Sequence, residues 1–280
     1  MNLLRTREDI HNWILDLKNS KKTIGFVPTM GALHEGHLSL VNQSKSENDF
    51  TLVSIFVNPT QFNNTDDLKK YPRTEQADTS LLESAGADAV FLPEIEVIYP
   101  HGQTSEHFEF SGIENQMEGK FRPGHFDGVA TVIKKFFEII QPDRAYFGEK
   151  DFQQLRIIQE LVKQENLPAQ IIAVPIKRES DGLAMSSRNV RLTAEMRQES
   201  VQIYKILTAA KSFLKGHSVN ETKEFVTKEF SHTKLKLEYF EIADEKSLQP
   251  VSEIQSNTDI RGFISAFAGD IRLIDNMSLI

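Results

Sequence analysis

Five short apolar runs, spaced by stretches of helical periodicity, constrain this chain more than any other feature. They are Thr23–Val27, Thr51–Val57, Ala89–Leu92, Arg144–Phe147 and Ile171–Val174. The second, TLVSIFV, is almost continuously apolar, the pattern of a strand buried on both faces of a parallel sheet. The intervening segments read as helices. Thr6 and Asp9 form an N-cap signal ahead of Ile10, Trp13, Ile14 and Leu17. Further helices are predicted over His37–Ser46, Arg73–Ala85 (ending at Gly86), Gly128–Ile140 (stopped before Pro142) and Asp151–Asn166. Strand–helix alternation implies βαβ units and a parallel sheet, and ligands then belong at the carboxyl ends of the strands.

The pattern changes after about residue 176. Thr193–Lys215 and Asn220–Phe230 are predicted helices, Lys236–Ile242 alternates as a strand, and Phe263–Ala268 with Ile271–Ile274 form a hairpin turning at Gly269-Asp270. The expectation is an α/β protein: a Rossmann-like parallel-sheet domain over residues 1–176 and a smaller α+β domain over 177–280. A chain of 280 residues is long enough for both to bury a core.

Composition removes several classes of function. The net charge of −8 disfavours non-specific attraction to nucleic acid or anionic lipid. There is no cysteine, so neither a disulfide framework nor a thiolate metal site is available. No run approaches ~18 apolar residues, the length of a membrane span. The opening MNLLRTREDIHNW mixes charges into its apolar residues and lacks a signal-peptide core. A cytoplasmic protein that binds neither membrane nor nucleic acid is expected.

Residues 28–41, PTMGALHEGHLSLV, carry the strongest chemical signal. A strand runs into a glycine turn and then into a helix start bearing His34 and His37. Backbone N–H groups and the helix dipole make such a start an anion site, and two imidazoles can donate to a phosphate. Other readings stay open for these two histidines: a zinc site, although no third ligand has a recognisable spacing, or a simple helix cap. The G-x-G-x-x-G dinucleotide spacing is absent. Four further strings are individually ordinary. Asn58 and Gln61 in NPTQF follow a buried strand and offer uncharged hydrogen bonds. Lys150 lies in FGEKDFQQ, a strand–turn–helix passage, and could meet a phosphate as a point charge. Ser186, Ser187 and Arg188 in DGLAMSSRN suit phosphate oxygens. FRPGHFDGV is a polar loop entering a helix, and whether Arg122 and His125 are functional there is open.

Taken together, these strings resemble a known family. The histidine string is similar to the HxGH signature of the nucleotidyltransferase superfamily. PTMGALHEGH, NPTQF, YPRT, FRPGHFDGV, FGEKDFQQL, DGLAMSSRN and RLIDN, in this order from about residue 23 to 276, resemble the pantothenate synthetases, or pantoate–β-alanine ligases. Thr60 and Met185 depart slightly from that pattern and touch neither the histidines nor the glutamines. The resemblance implies ATP-dependent condensation of pantoate with β-alanine through a pantoyl adenylate, releasing AMP and pyrophosphate. It places Met30, Gly31, Ala32, Leu33, His34, Glu35, Gly36 and His37 at ATP, with Gly148, Glu149, Lys150, Asp151, Lys177, Met185, Ser186, Ser187 and Arg188. His37, His34, Lys150, Ser187 and Arg188 are the implied catalytic set. Gln61 and Gln154, with Asn58, are the implied substrate contacts. Magnesium should accompany ATP, the protein should be a homodimer, and the C-terminal domain should act as a lid. The alternative is a nucleotidyltransferase that stops after nucleotide transfer.

Overall fold

The computed structural model describes residues 1–255 and 257–280. Its first part runs β1 (Asn2–Leu4), α1 (Arg7–Asn19), β2 (Ile24–Thr29), α2 (Glu35–Glu47), β3 (Phe50–Ile55), α3 (Thr65–Lys70), α4 (Glu75–Ala85) and β4 (Ala89–Phe91). It continues through α5 (Ile95–Ile98), α6 (Met117–Phe121), α7 (His125–Ile140), β5 (Arg144–Gly148), α8 (Phe152–Gln164) and β6 (Gln170–Val174). The remainder is α9 (Ala194–Phe213), α10 (Val219–Phe230), β7 (Lys236–Asp244), β8 (Ile260–Ala268) and β9 (Ile271–Ser278).

Six strands pair in parallel in the order β1-β4-β3-β2-β5-β6. The expected Thr6–Asp9 capping box is present, and α4 ends at Gly86 in the left-handed region. Four elements have no counterpart in the sequence reading: β1, α3, and the short α5 and α6, of four and five residues. β1 pairs with β4 but buries only Leu4, and α3 buries no residue, so neither carries an apolar period to read. Several bounds also move: β3 stops at Ile55, before the chain turns toward Pro59, and α7 begins at His125.

The chain leaves β2 first toward β3 and β4, then returns on its other side with β5 and β6. β2 is therefore the topological switch, where open parallel sheets bind ligands. The register sharpens this. β2 and β3 pair along all six residues, Ile24↔Phe50 to Thr29↔Ile55, whereas β2 meets β5 only at Gly25↔Arg144 and Phe26↔Ala145. Beyond those pairs Val27–Thr29 and Tyr146–Gly148 diverge and open a crevice.

The second part is an antiparallel sheet, β7-β8-β9, backed by α9 and α10. Ile203, Leu207, Val226, Phe230, Ile242 and Ile264 form its core. β8 and β9 extend further than the expected hairpin, around the expected Gly269-Asp270 turn.

Candidate active site

The histidine turn is assembled from local hydrogen bonds. Gly31 and Ala32 both sit in the left-handed region, at φ +80° and +49°, and a side chain on Gly31 would crowd Asp78 and Ile55. Buried Asp78, on α4, holds this strained pair: Oδ2 accepts from Ala32 N–H at 2.9 Å and Oδ1 from Leu33 N–H at 2.8 Å. α2 then starts with a reciprocal cap. His34 Nδ1 accepts from Gly36 N–H at 3.1 Å, and His37 Nδ1 accepts from His34 N–H at 3.3 Å. The two rings are 4.1 Å apart.

The cap reading and the phosphate reading are thus compatible, because capping uses Nδ1 on each ring. Burial, then the Lys150 charge, lowers His34 to about 4; burial, then His34 and Lys150, lowers His37 to about 3. Both rings are neutral at physiological pH, so the proton sits on Nε2 and that nitrogen is the donor left for a ligand. Among the described residues no group of three or more histidine or carboxylate side chains is gathered to hold a metal ion.

Both histidines line a cavity of about 210 Å³ in the crevice between β2 and β5. Its apolar floor includes Phe56 and one face of α7, Val129, Val132, Ile133 and Phe136. Gln61 enters from the turn after β3 and is held from several sides. Its Oε1 accepts from Asn58 Nδ2 at 3.2 Å, and its carbonyl accepts from His125 Nδ1 at 2.8 Å. Asn58, 1% exposed, also donates to Gly128 O at 3.0 Å and accepts from Tyr99 at 2.8 Å and Thr60 at 3.1 Å. Its hydrogen bonds all go to protein, so Asn58 orients Gln61. Gly128 permits this closeness, since a Cβ there would lie 2.5 Å from Thr60 O. Burial, then the charge of Arg122, lowers His125 to about 3, so it acts here as a neutral strut.

The Gln153–Gln154 pair divides its roles. Gln153 is buried, donating to Ile113 O and Gln116 O and accepting from Glu118 N–H, while Gln154 faces the cavity.

Met185–Arg188 approach from the far side. An antiparallel bridge, Arg178↔Ala184, folds the preceding residues into a hairpin that returns the chain to the cavity, and Met185 N–H donates to Lys177 O at 3.0 Å. Ser187 Oγ donates to Ala32 O at 3.1 Å, joining this loop to the histidine turn. Arg188 donates to Asp67 at 2.9 Å and Arg191 does so at 3.0 Å. Burial pushes the Asp67 carboxyl up, but these two guanidiniums outweigh it and hold the group below its ordinary value. Lys150, Asp151, Ser186 and Arg188 also border a second cavity of about 710 Å³, between the α3 loop, α6 and the β8–β9 hairpin.

Of the residues singled out from sequence, Met30, His34, Gly36, His37, Asn58, Gln61, Gly148, Lys150, Asp151, Gln154, Lys177, Met185, Ser186, Ser187 and Arg188 come together on the first cavity wall. Gly31, Ala32, Leu33, Glu35 and Glu149 lie off it; the first three shape the turn, and Glu35 is exposed. Tyr71, Phe56, Tyr146 and the α7 face were not among the sequence candidates. Periodicity marks Val129, Val132, Ile133 and Phe136 as one apolar face, without showing that it borders a cavity. Tyr71, in the quoted YPRT string, is the one with a usable signal.

The chain is similar to known proteins over nearly its whole length. The family model for pantoate–β-alanine ligase matches residues 2–278. Curated pantothenate synthetases of Flavobacterium psychrophilum and Bacteroides thetaiotaomicron are 48% and 49% identical, covering 100% and 99% of this chain and 100% and 98% of their own. A crystal structure of the Thermus thermophilus pantothenate synthetase superposes with a TM-score of 0.90 at 38% identity, covering 100% of this chain and 99% of that one. The Francisella tularensis pantoate–β-alanine ligase, solved with β-γ ATP and β-alanine, gives 0.84 at 38% identity over 100% and 98%. A family model spanning nearly every residue, with relatives matched end to end, places the chain in the pantoate–β-alanine ligase family.

Proposed function

We propose that this ligase joins pantoate to β-alanine through a pantoyl adenylate made in the β2–β5 crevice. A pantoate carboxylate oxygen attacks the α-phosphorus of ATP; the bond to the bridging oxygen breaks and pyrophosphate leaves. The β-alanine amine then attacks the acyl carbon and loses a proton, and AMP departs with the former carboxylate oxygen. The observation that carries this reading is the meeting of two chemistries in one cavity. Phosphate-type donors (the α2 start, His34, His37, Lys150, Ser186, Ser187 and Arg188) face neutral amides, Gln61 and Gln154.

Neutral Nε2–H groups fit the first step. The reaction needs stabilisation of charge growing at phosphorus more than it needs a protein nucleophile. His37 donates a hydrogen bond or proton to that charge, with His34 beside it. Lys150, Ser186, Ser187 and Arg188 hold phosphate oxygens, Gly148–Asp151 line the nucleotide, and the Lys177 backbone meets adenine. Gln61 and Gln154 bind pantoate, whose hydroxyls reward uncharged partners, and Gln61 also meets β-alanine. The Francisella ligase, solved with a β-γ ATP and β-alanine, supports both co-substrates.

The first cavity falls below the ~300–1,000 Å³ usual for ligand sites and adjoins the larger one at four shared residues, giving room for a triphosphate. Magnesium would enter with ATP, held largely by phosphates and water, and Asp151 on the cavity wall would offer it a carboxylate. Residues 177–280 act as a lid on residues 1–176, excluding water from the adenylate. A cytoplasmic homodimer completes the proposal. No helix among the described residues is long and apolar enough to cross a membrane.

The test is release of AMP, pyrophosphate and pantothenate from ATP and magnesium, with pantoate and β-alanine supplied singly and together. AMP and pantothenate should accumulate only with both acceptors. A stable nucleotide conjugate as the end product would assign the chain to nucleotide transfer alone, and no turnover with pantoate would refute the substrate assignment.

A further inference from the structure

The late RLIDN string has a clear position but no role in the chemistry above. Its last residue, Asn276 on β9, is 2% exposed and has its carboxamide fully engaged. Nδ2 donates to Glu149 O and to Lys150 O, both at 2.9 Å, and Oδ1 accepts from Arg261 Nη1 at 2.6 Å. Those two carbonyls belong to the peptide planes immediately before and after the Lys150 Cα. Fixing both planes fixes the backbone dihedrals of Lys150 and so the direction in which its side chain leaves.

The anchor is itself held. Arg261 Nε donates to Glu245 at 3.0 Å, and its guanidinium lies 4.0 Å from the centre of the Phe152 ring, at the start of α8. Asp275 accepts from Asn276 N–H at 2.8 Å and takes Arg178 in a two-pronged pair at 2.6 and 2.9 Å. Arg178 opens the hairpin that returns the chain to Met185–Arg188.

We propose that Asn276 is a positioning residue for Lys150, reaching across from the antiparallel sheet to set the turn that carries the ammonium to the phosphates. The inference rests on Lys150 acting as a phosphate contact. Residue chemistry makes asparagine specific here. Two donors on one planar nitrogen match two successive carbonyls, while its oxygen satisfies Arg261. Aspartate has the same shape but sets an acceptor against two acceptors. The Lys150 charge also bears on both histidines, so a displaced turn reaches them as well.

The experiment is single-turnover pyrophosphate release with saturating ATP and pantoate, in the full-length protein. The variants are Asn276→Asp, Lys150→Ala and the double substitution. Misplacing a reacting group by about 1 Å costs on the order of 10²-fold, and Asn276→Asp should slow adenylate formation on that scale. Half-saturation by pantoate should not change comparably. On the Lys150→Ala background the same substitution should add little, because its effect runs through the lysine. Imidazole titrations of His34 and His37 by NMR should move upward in Asn276→Asp. If that variant does not fold, Asn276→Ala removes the donors without opposed charge and is read identically. A slow Lys150→Ala with fully additive loss in the double variant overturns this inference alone. A wild-type rate in Lys150→Ala overturns the phosphate reading and this inference together.

Discussion

The histidine turn and the Ser-Ser-Arg loop face the same cavity but are held by different kinds of bond. The turn is fixed by uncharged backbone donors converging on one buried carboxylate, Asp78, and by two histidines that cap each other. The loop is fixed by a partly exposed carboxylate, Asp67, shared between Arg188 and Arg191, and by one hydroxyl contact from Ser187 to Ala32. Buried hydrogen bonds to fixed amides resist salt and hold one geometry, whereas partly exposed ion pairs are screened more and exchange partners more easily. One wall is built in advance; under the proposed function, the other would trade Asp67 for a triphosphate.

Breaking the built wall should have the largest effect. His37→Ala should slow adenylate formation by about 10²–10⁴-fold, read as single-turnover pyrophosphate release. Retention of the full rate would reduce His37 to a helix cap. Next come the two aspartates, which set the walls against each other directly. Asp78→Ala orphans the amides of Ala32 and Leu33 and should cost about 1–3 kcal/mol per donor in urea unfolding. Asp67→Ala should cost no more than about 1 kcal/mol, and less in high salt. Equal losses would abolish the distinction between the walls.

Acid should test the buried wall by another route. His34, His37 and His125 have folded values of about 4, 3 and 3, below the ordinary 6.5, so the unfolded chain binds protons first as pH falls. Their contribution is therefore complete above about 6.5 and is lost progressively below it, down to the folded values. Each can cost up to about 1.4 kcal/mol per pH unit within that window. Urea midpoints should fall between pH 6.5 and 4, and His37→Gln should flatten the decline. A midpoint independent of pH over that range would contradict buried neutral histidines.

The contrast also explains what the sequence could reveal. Parallel strands such as Thr51–Val57 are legible because burial on both faces leaves an unbroken apolar run. The histidine string is legible because strand, glycine turn and cap are consecutive. Its anchor is not: Asp78 lies on α4, 46 residues beyond Ala32, and reads locally as one more charge on a helix. Asn58 and Gln61 announce polar chemistry together, but only the surrounding Tyr99, Thr60 and Gly128 show that Asn58 serves Gln61. Gln153 and Gln154 are identical in composition, and helix rotation alone buries one and turns the other to the cavity. The pairing of Asn276 with the Lys150 turn joins residues 126 positions apart, beyond any local pattern.

The most direct test of the adenylate account follows one oxygen atom. Pantoate labelled with oxygen-18 in its carboxylate is turned over with ATP and β-alanine, and the products are weighed by mass spectrometry. Attack at the α-phosphorus places one labelled oxygen in AMP and leaves pyrophosphate unlabelled. Unlabelled AMP, with the label in pyrophosphate or phosphate, would show that the carboxylate attacks elsewhere and that no pantoyl adenylate forms in this cavity.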